Sequence, residues 1–126
     1  MFDWDGVFNS GAKGEGASSS FSEADSMGIN LLRYGLWRAR GRLPVAAVIT
    51  GERNETAIRF ATREHFDAIY AGVKNKITAL EHLCASHSLR ADETIVVFDD
   101  VNDLGMAAQA GVRLLVRRDA SPLLSE

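Results

Sequence analysis

Two carboxylates stand two positions apart in Phe2-Asp3-Trp4-Asp5-Gly6-Val7, after an apolar pair and directly before a glycine. Strand alternation alone would point Asp3 and Asp5 to one side. A strand that ends there, with Gly6 admitting a sharp turn, would instead splay them about one point at its carboxyl edge. Carboxylates that close repel unless a cation or a proton lies between them. Two solvated acids at a strand end are the plain alternative, so the rest of the chain has to decide. Thr50 closes the apolar run Val45-Ala46-Ala47-Val48-Ile49, Lys76 follows Ala68-Ile69-Tyr70 at a short remove, and Asp99, Asp100 and Asp103 follow Thr94-Ile95-Val96-Val97-Phe98. Singly, each has an ordinary reading: Thr50 as a common strand-end residue, Lys76 as a solvated lysine at a helix start, and Asp99-Asp100 as a cap on the next helix. Together they describe one task. Carboxylate oxygens suit a hard cation such as Mg2+. A lysine and a hydroxyl suit the oxygens of a phosphoryl group. A carboxylate not consumed by metal could attack phosphorus, while a neighbouring acid protonates the leaving oxygen and later activates water.

The elements that must position these groups alternate in type. After Asp5-Gly6-Val7-Phe8 comes a Gly/Ser-rich stretch, Asn9 to Ser20, which predicts a loop or weak hairpin over the carboxylates and leaves no room for a separate cap domain. A helix is predicted from Met27, with Ile29, Leu32, Leu36 and Ala39 on one stripe, Gly35 weakening it and Gly41 ending it. Val45–Thr50 reads as a strand buried on both faces. Asn54 caps a second helix through about Glu64, with Ile58, Ala61 and Thr62 inward. Ala68–Tyr70 is a short strand, and a third helix from about Lys76 to His87 is apolar at Ile77, Leu80, Leu83 and Cys84. Thr94–Phe98 is the clearest strand, followed by a short helix (Leu104, Ala107, Ala108) ending at Gly111 and a last strand from Val112 to Val116. This alternation predicts a three-layer α/β domain over 1–126, with a parallel sheet, right-handed crossovers and ligands at the carboxyl strand ends.

Composition narrows the classes. The 126 residues suffice for one core, and a net charge of -3 without a basic stripe argues against nucleic acid. One cysteine, Cys84, excludes an internal disulfide, fits a reducing compartment, and on its helical stripe reads as a core thiol. No apolar run reaches the roughly 18 residues of a membrane span, and acids interrupt any signal-peptide pattern at the N-terminus. A soluble cytoplasmic domain is expected, both of whose ends look trimmed. His65, His82 and His87 show no metal-ligand spacing.

The string Phe2–Val7, Val48-Ile49-Thr50-Gly51, Lys76, and Phe98-Asp99-Asp100-Val101-Asn102-Asp103 resembles, in order and over essentially the whole chain, the motifs of the haloacid dehalogenase superfamily of phosphatases. Phe21–Ile29 and Tyr70–Lys76 resemble its capless branch, which holds 3-deoxy-D-manno-octulosonate 8-phosphate phosphatases, nine-carbon ulosonate 9-phosphate phosphatases, and a module appended to some cytidylyl-sialate synthetases. The resemblance implies a Rossmann-like α/β/α fold and a Mg2+-dependent homo-oligomeric hydrolase, a tetramer in the family, acting on a small sugar-acid phosphate. It implies Asp3 as nucleophile and metal ligand, and Asp5 as general acid/base giving its backbone carbonyl to the metal. Thr50 and Lys76 would hold phosphoryl oxygens, Asp99 would complete the metal shell, Asp103 would orient Lys76, and Asp100 would stand behind them. Gly51, Glu52, Arg63 and Asp25 are the implied substrate-binding residues. The eight-carbon enzymes tend to place Arg after the motif-two glycine, so Glu52, followed by Arg53 and later Arg63, resembles the nine-carbon branch more. A carboxylate there could accept hydrogen bonds from sugar hydroxyls, whereas a guanidinium would prefer the substrate carboxylate.

The sequence departs from that pattern in three places. The loop from Gly11 to Ser20 is shorter and poorer in β-formers than the family's tetramer-building hairpin, no glycine-rich tail follows, and Phe98 replaces a usual glycine. Two rival classes remain. A receiver-type signalling domain would need its phosphate-accepting Asp on the middle strand, where Thr50 stands, and its acids would not return as Asp99-Asp100. A non-catalytic oligomerisation module associated with a cytidylyltransferase would be expected to lose the nucleophile, the lysine or the late acids, all of which this chain keeps.

Overall fold

The structure, a computed structural model, describes residues 1–16 and 19–117. Part of the expected loop (17–18) and the segment beyond the last strand (118–126) lie outside the described residues. The elements run β1 (Phe2–Asp3), α1 (Glu23–Arg40), β2 (Ala47–Thr50), α2 (Glu55–Arg63), β3 (Ala68–Ala71), α3 (Lys76–His87), β4 (Ile95–Phe98), α4 (Leu104–Gln109) and β5 (Val112–Leu115). All strand pairs are parallel and the sheet order is β3-β2-β1-β4-β5, with Phe2 opposite Val48 on one side and Val97 on the other. The chain builds outward from β1 to β3, then returns to add β4 and β5 on the far side. The two directions part at β1 and β4, where such sheets open a crevice at their carboxyl ends.

Strand alternation divides the core in two. Met1, Ala47, Ile49, Val96 and Phe98 face α3 and α4, where they meet Leu80, Leu83, Met106 and Ala107. Phe2 and Val48 face α1 and α2, where they join Trp4, Phe8, Ile29, Ala57 and Phe60. The second cluster is aromatic: the Trp4 and Phe8 rings stack at 4.8 Å, and Phe60 lies 4.9 Å from Phe8 and 4.8 Å from Phe21. The result is the expected three-layer α/β/α architecture, with no separate cap domain among the described residues. Those of the 9–22 stretch form no strand or helix. No described helix is long and apolar enough to cross a membrane.

Several local expectations need correction. Helix α1 starts at Glu23, four residues ahead of Met27, because Ser22 and Asp25 form a capping box: the Asp25 N–H donates to Ser22 Oγ at 3.2 Å, and the Ser22 N–H to Asp25 Oδ2 at 2.6 Å. Its stripe frays toward the C-terminus, where Ala39 is exposed and Leu32 and Leu36 are half-buried. In α2 the inward residues are Ala57, Phe60, Ala61 and Glu64, whereas Ile58 and Thr62 face solvent. The period is right and the phase is off by one, because the larger Phe60 takes the place against Trp4 and Phe8. In α4, Met106 and Ala107 point inward while Leu104 and Ala108 are exposed. Gly41 ends α1 as expected, at φ 73° with its N–H donating to the Trp37 carbonyl at 2.8 Å. Phe98 packs into the α3/α4-side core.

Leu80 is fully buried, while Leu31 on α1 is 66% exposed. Leu80→Ala should therefore cost about 2–5 kcal/mol, against about 0.5 kcal/mol or less for Leu31→Ala, read as denaturation midpoints in urea.

Candidate active site

Alternation along β1 accounts for the first site residue. Met1 and Asp3 share one side of the sheet, so the chain that buries Met1 against α3 and α4 sends the Asp3 carboxylate to the same side, just past the strand's end. Two helix entries close on it. Asn75 caps α3, its side chain accepting the Ile77 N–H at 3.2 Å, and so fixes Lys76 as the helix's first residue. The preceding loop is tied down where the Val73 N–H donates to the Thr50 carbonyl (3.2 Å) and the Gly72 N–H to the Glu52 carbonyl (3.0 Å). From there Lys76 Nζ donates to Asp3 Oδ1 at 2.7 Å and pairs with Asp103 Oδ1 at 2.5 Å. Asp103, at the head of α4, is wholly buried.

Asp99 reaches the same point from the end of β4. A Cβ on Gly6 would fall inside the Asp99 carboxylate, and Gly6 has φ 87°, so glycine is required here on both counts. Carboxylate oxygens of Asp3, Asp99 and Asp103 all lie within 4.8 Å of one another. Asp100 does the capping that sequence left open for the pair: its Oδ1 accepts the Asn102 N–H at 3.2 Å and its Oδ2 the Asn102 Nδ2 at 3.0 Å. Thr50 is buried at the end of β2, and its Oγ1 accepts the Glu52 N–H at 3.3 Å. Asp3, Asp5, Thr50, Gly51, Glu52, Lys76, Asp99 and Asp100 line one cleft, joined by Gly11, Lys13, Val73, Lys74 and Asn102.

The charges are unevenly matched. Burial, and then the charge of Asp3, push the Asp103 carboxyl up to about 7 against the opposing pull of Lys76. Burial lowers the proton affinity of Lys76, but Asp3 and Asp103 more than offset it and the ammonium is held charged. One ammonium thus faces three carboxylates, an oxygen-rich and over-negative pocket that fits a hard divalent cation. Asp3 and Asp99 would hold it, with the buried Asp103 held back by Lys76.

Asp5 lines the same cleft, and its carboxylate has partners of its own. Lys13 Nζ donates to Asp5 Oδ2 at 2.8 Å and Ser19 Oγ to Asp5 Oδ1 at 2.6 Å. Burial would raise the Asp5 pKa, but these donors outweigh it and hold the carboxyl below its usual value. Ser19 Oγ also accepts from Trp4 Nε1 (2.9 Å) and from Asn54 Nδ2 (2.5 Å), joining the acid to the aromatic core and to the cap of α2. Lys13 further pairs with Glu52 at 3.3 Å.

Two expected substrate residues lie elsewhere. The Asp25 carboxylate is taken by the Ser22 N–H and hydroxyl in the capping box. Arg63 pairs on the surface with Glu23 and Glu64, both at 3.4 Å. Neither lines the cleft, because the first is committed to a local turn and the second is carried outward at the end of α2. Lys13 and Ser19 were missed by sequence reasoning. A single lysine inside a glycine- and serine-rich run was a faint signal for the first, and no pattern marked the second.

No protein-family profile matches the sequence. Among solved structures, the chain is similar to the 3-deoxy-D-manno-octulosonate 8-phosphate phosphatase of Yersinia pestis (28% identity, TM-score 0.78, 98% of this chain and 65% of that one). It is also similar to the enzyme of that name from Moraxella catarrhalis, solved with magnesium, phosphate and the sugar acid KDO (25% identity, TM-score 0.72, 87% of this chain and 62% of that one). A third neighbour is a haloacid dehalogenase superfamily hydrolase, subfamily III A, from Legionella pneumophila (28% identity, TM-score 0.70, 87% of this chain and 59% of that one). The chain spans less than two thirds of the length of these proteins. The fold is that of these phosphatases.

If the acidic pocket takes a divalent cation, Mg2+ at a hundred times its dissociation constant should stabilise the protein by about 2.7 kcal/mol, seen as a rise in Tm. Asp99→Asn should abolish that rise. Gly6→Ala should abolish it too, while lowering the metal-free stability by about 1–3 kcal/mol through the left-handed backbone alone.

Proposed function

We propose that this chain is a phosphomonoester hydrolase that cleaves the phosphate of a sugar acid through an aspartyl-phosphate. The observation that carries the reading is the pairing of Lys76 with both Asp3 and Asp103, beside Asp99, where the sheet changes direction. The Asp3 carboxylate attacks phosphorus as the bond from phosphorus to the sugar oxygen breaks, and that oxygen takes a proton from Asp5. Water then adds to phosphorus, giving its proton to Asp5, and inorganic phosphate leaves with Asp3 restored. Lys76 and the Thr50 hydroxyl donate to the phosphoryl oxygens while charge builds on them. Asp103 holds the Lys76 ammonium in place, and being fully buried it keeps that contact out of water's reach. A divalent cation held by Asp3, Asp99 and the Asp5 carbonyl, for which Mg2+ is the natural choice, would neutralise phosphate charge and draw the two anions together. The buried free thiol of Cys84 accords with a reducing cytoplasm.

The substrate class rests on the resemblance to phosphatases of eight- and nine-carbon sugar acids, and Glu52 in the cleft wall is placed to accept hydrogen bonds from sugar hydroxyls. Phosphate release should be followed with the eight-carbon 8-phosphate, a nine-carbon 9-phosphate and an aryl phosphate, with and without Mg2+. Turnover should need the metal and should fall on the order of a thousandfold or more in Asp3→Asn. A folded wild-type protein that binds Mg2+ yet releases no phosphate from any of the three would sink the reading, as would an Asp3→Asn variant of undiminished rate.

A further inference from the structure

The segment between β1 and α1 is stitched to the site at both ends. At its start, Asn9 Oδ1 accepts the Gly11 N–H at 2.9 Å and the Gly6 N–H at 3.4 Å, and Gly11 turns at φ 70°, where a Cβ would crowd the Gly6 backbone at 3.3 Å. At its end, Ser19 is bound to Trp4, Asp5 and Asn54. Lys13 lies between these anchors. Its ammonium bridges two acids from different strand ends, Asp5 after β1 and Glu52 after β2, and its side chain is 56% exposed.

That position has a chemical meaning once Asp5 is the acid that meets the leaving oxygen, and the inference rests on that reading. Whatever is bonded to the leaving oxygen must then lie against Asp5, and a cation 2.8 Å from Asp5 lies beside it as well. Lys76 is committed to Asp3 and Asp103 deep in the cleft, so it serves the phosphoryl end. Lys13 sits on a flexible four-carbon stem at the mouth, holding contacts with two carboxylates that a third carboxylate could take over with little loss.

We propose that Lys13 recognises the acid group of the leaving sugar, exchanging its contacts with Asp5 and Glu52 for the substrate carboxylate. Lys13 is in this sense a specificity residue: it selects sugar acids over neutral sugars of the same size. Glu52, released from Lys13, then becomes available to the sugar hydroxyls.

The test compares KDO with its methyl ester, which differ only in that charge, by calorimetry in the presence of Mg2+. The wild-type protein should bind the acid at least tenfold more tightly than the ester. In Lys13→Met the ratio should fall to within twofold, and in Lys13→Arg most of it should return. A ratio unchanged in Lys13→Met, or a wild-type protein that binds acid and ester alike, would overturn the proposal. Melting curves of each variant report folding, and with Lys13 exposed no loss of Tm is expected. Aryl phosphate turnover, measured alongside, separates the two readings. Its absence with a ratio that collapses in Lys13→Met removes the phosphatase reading and keeps Lys13 as the acid-recognising residue. Its presence with an unchanged ratio does the reverse.

Discussion

Negative charge in excess, packed at the end of the central strand, is the constraint on which the rest of this structure depends. Asp3, Asp99 and Asp103 bring oxygens within 4.8 Å of one another, and Lys76 is the ammonium placed among them. Such an arrangement is unfavourable in a metal-free protein, where Asp103 is driven toward its protonated form. It persists because each member is fixed by something else. Asp3 follows from the register of β1 between β2 and β4, Lys76 from the Asn75 cap, and Asp103 from the turn that Asp100 opens. Local strain of this kind, held by a surrounding scaffold, is what a site that handles anions and cations together requires.

The two walls of the cleft have different characters. The Lys76 wall is largely buried and built from helix entries and strand ends. The Asp5 wall is made by a loop and anchored through one hydroxyl, that of Ser19, to an aromatic core. On the proposed reading, the phosphoryl group is handled by the first and the rest of the substrate by the second, where a loop can differ in length and content without disturbing the sheet.

How much of this was legible in the sequence follows from how local each signal is. Asp3, Thr50, Lys76, Asp99 and Asp103 could be picked out because each lies at or near the end of an apolar run, and parallel strands bring their ends to one rim. Helix phases were less legible: Ile58 and Thr62 looked inward until the size of Phe60 decided otherwise. Asp25 and Arg63 seemed available for substrate because a one-dimensional string does not reveal that Ser22 and Glu23 already engage them. Lys13 and Ser19 lie in a run without periodicity, and their partners are set by how the loop closes, which no spacing rule encodes.

The order in which these parts leave the ribosome has its own consequence. Strand β1 is the centre of the sheet, yet both of its neighbours, β2 and β4, come later in the chain, and Lys76 meets Asp3 across 73 positions of sequence. The central strand must therefore wait, unpaired, until residues from about the middle of the chain arrive on one side and residues near its far end on the other. Contacts of such long range are slow to form and leave apolar strand edges open in the meantime. The acids and the lysine borne by β1, α3 and the β4–α4 turn can only come together when the sheet closes, so the acidic cleft would be among the last features the nascent chain acquires.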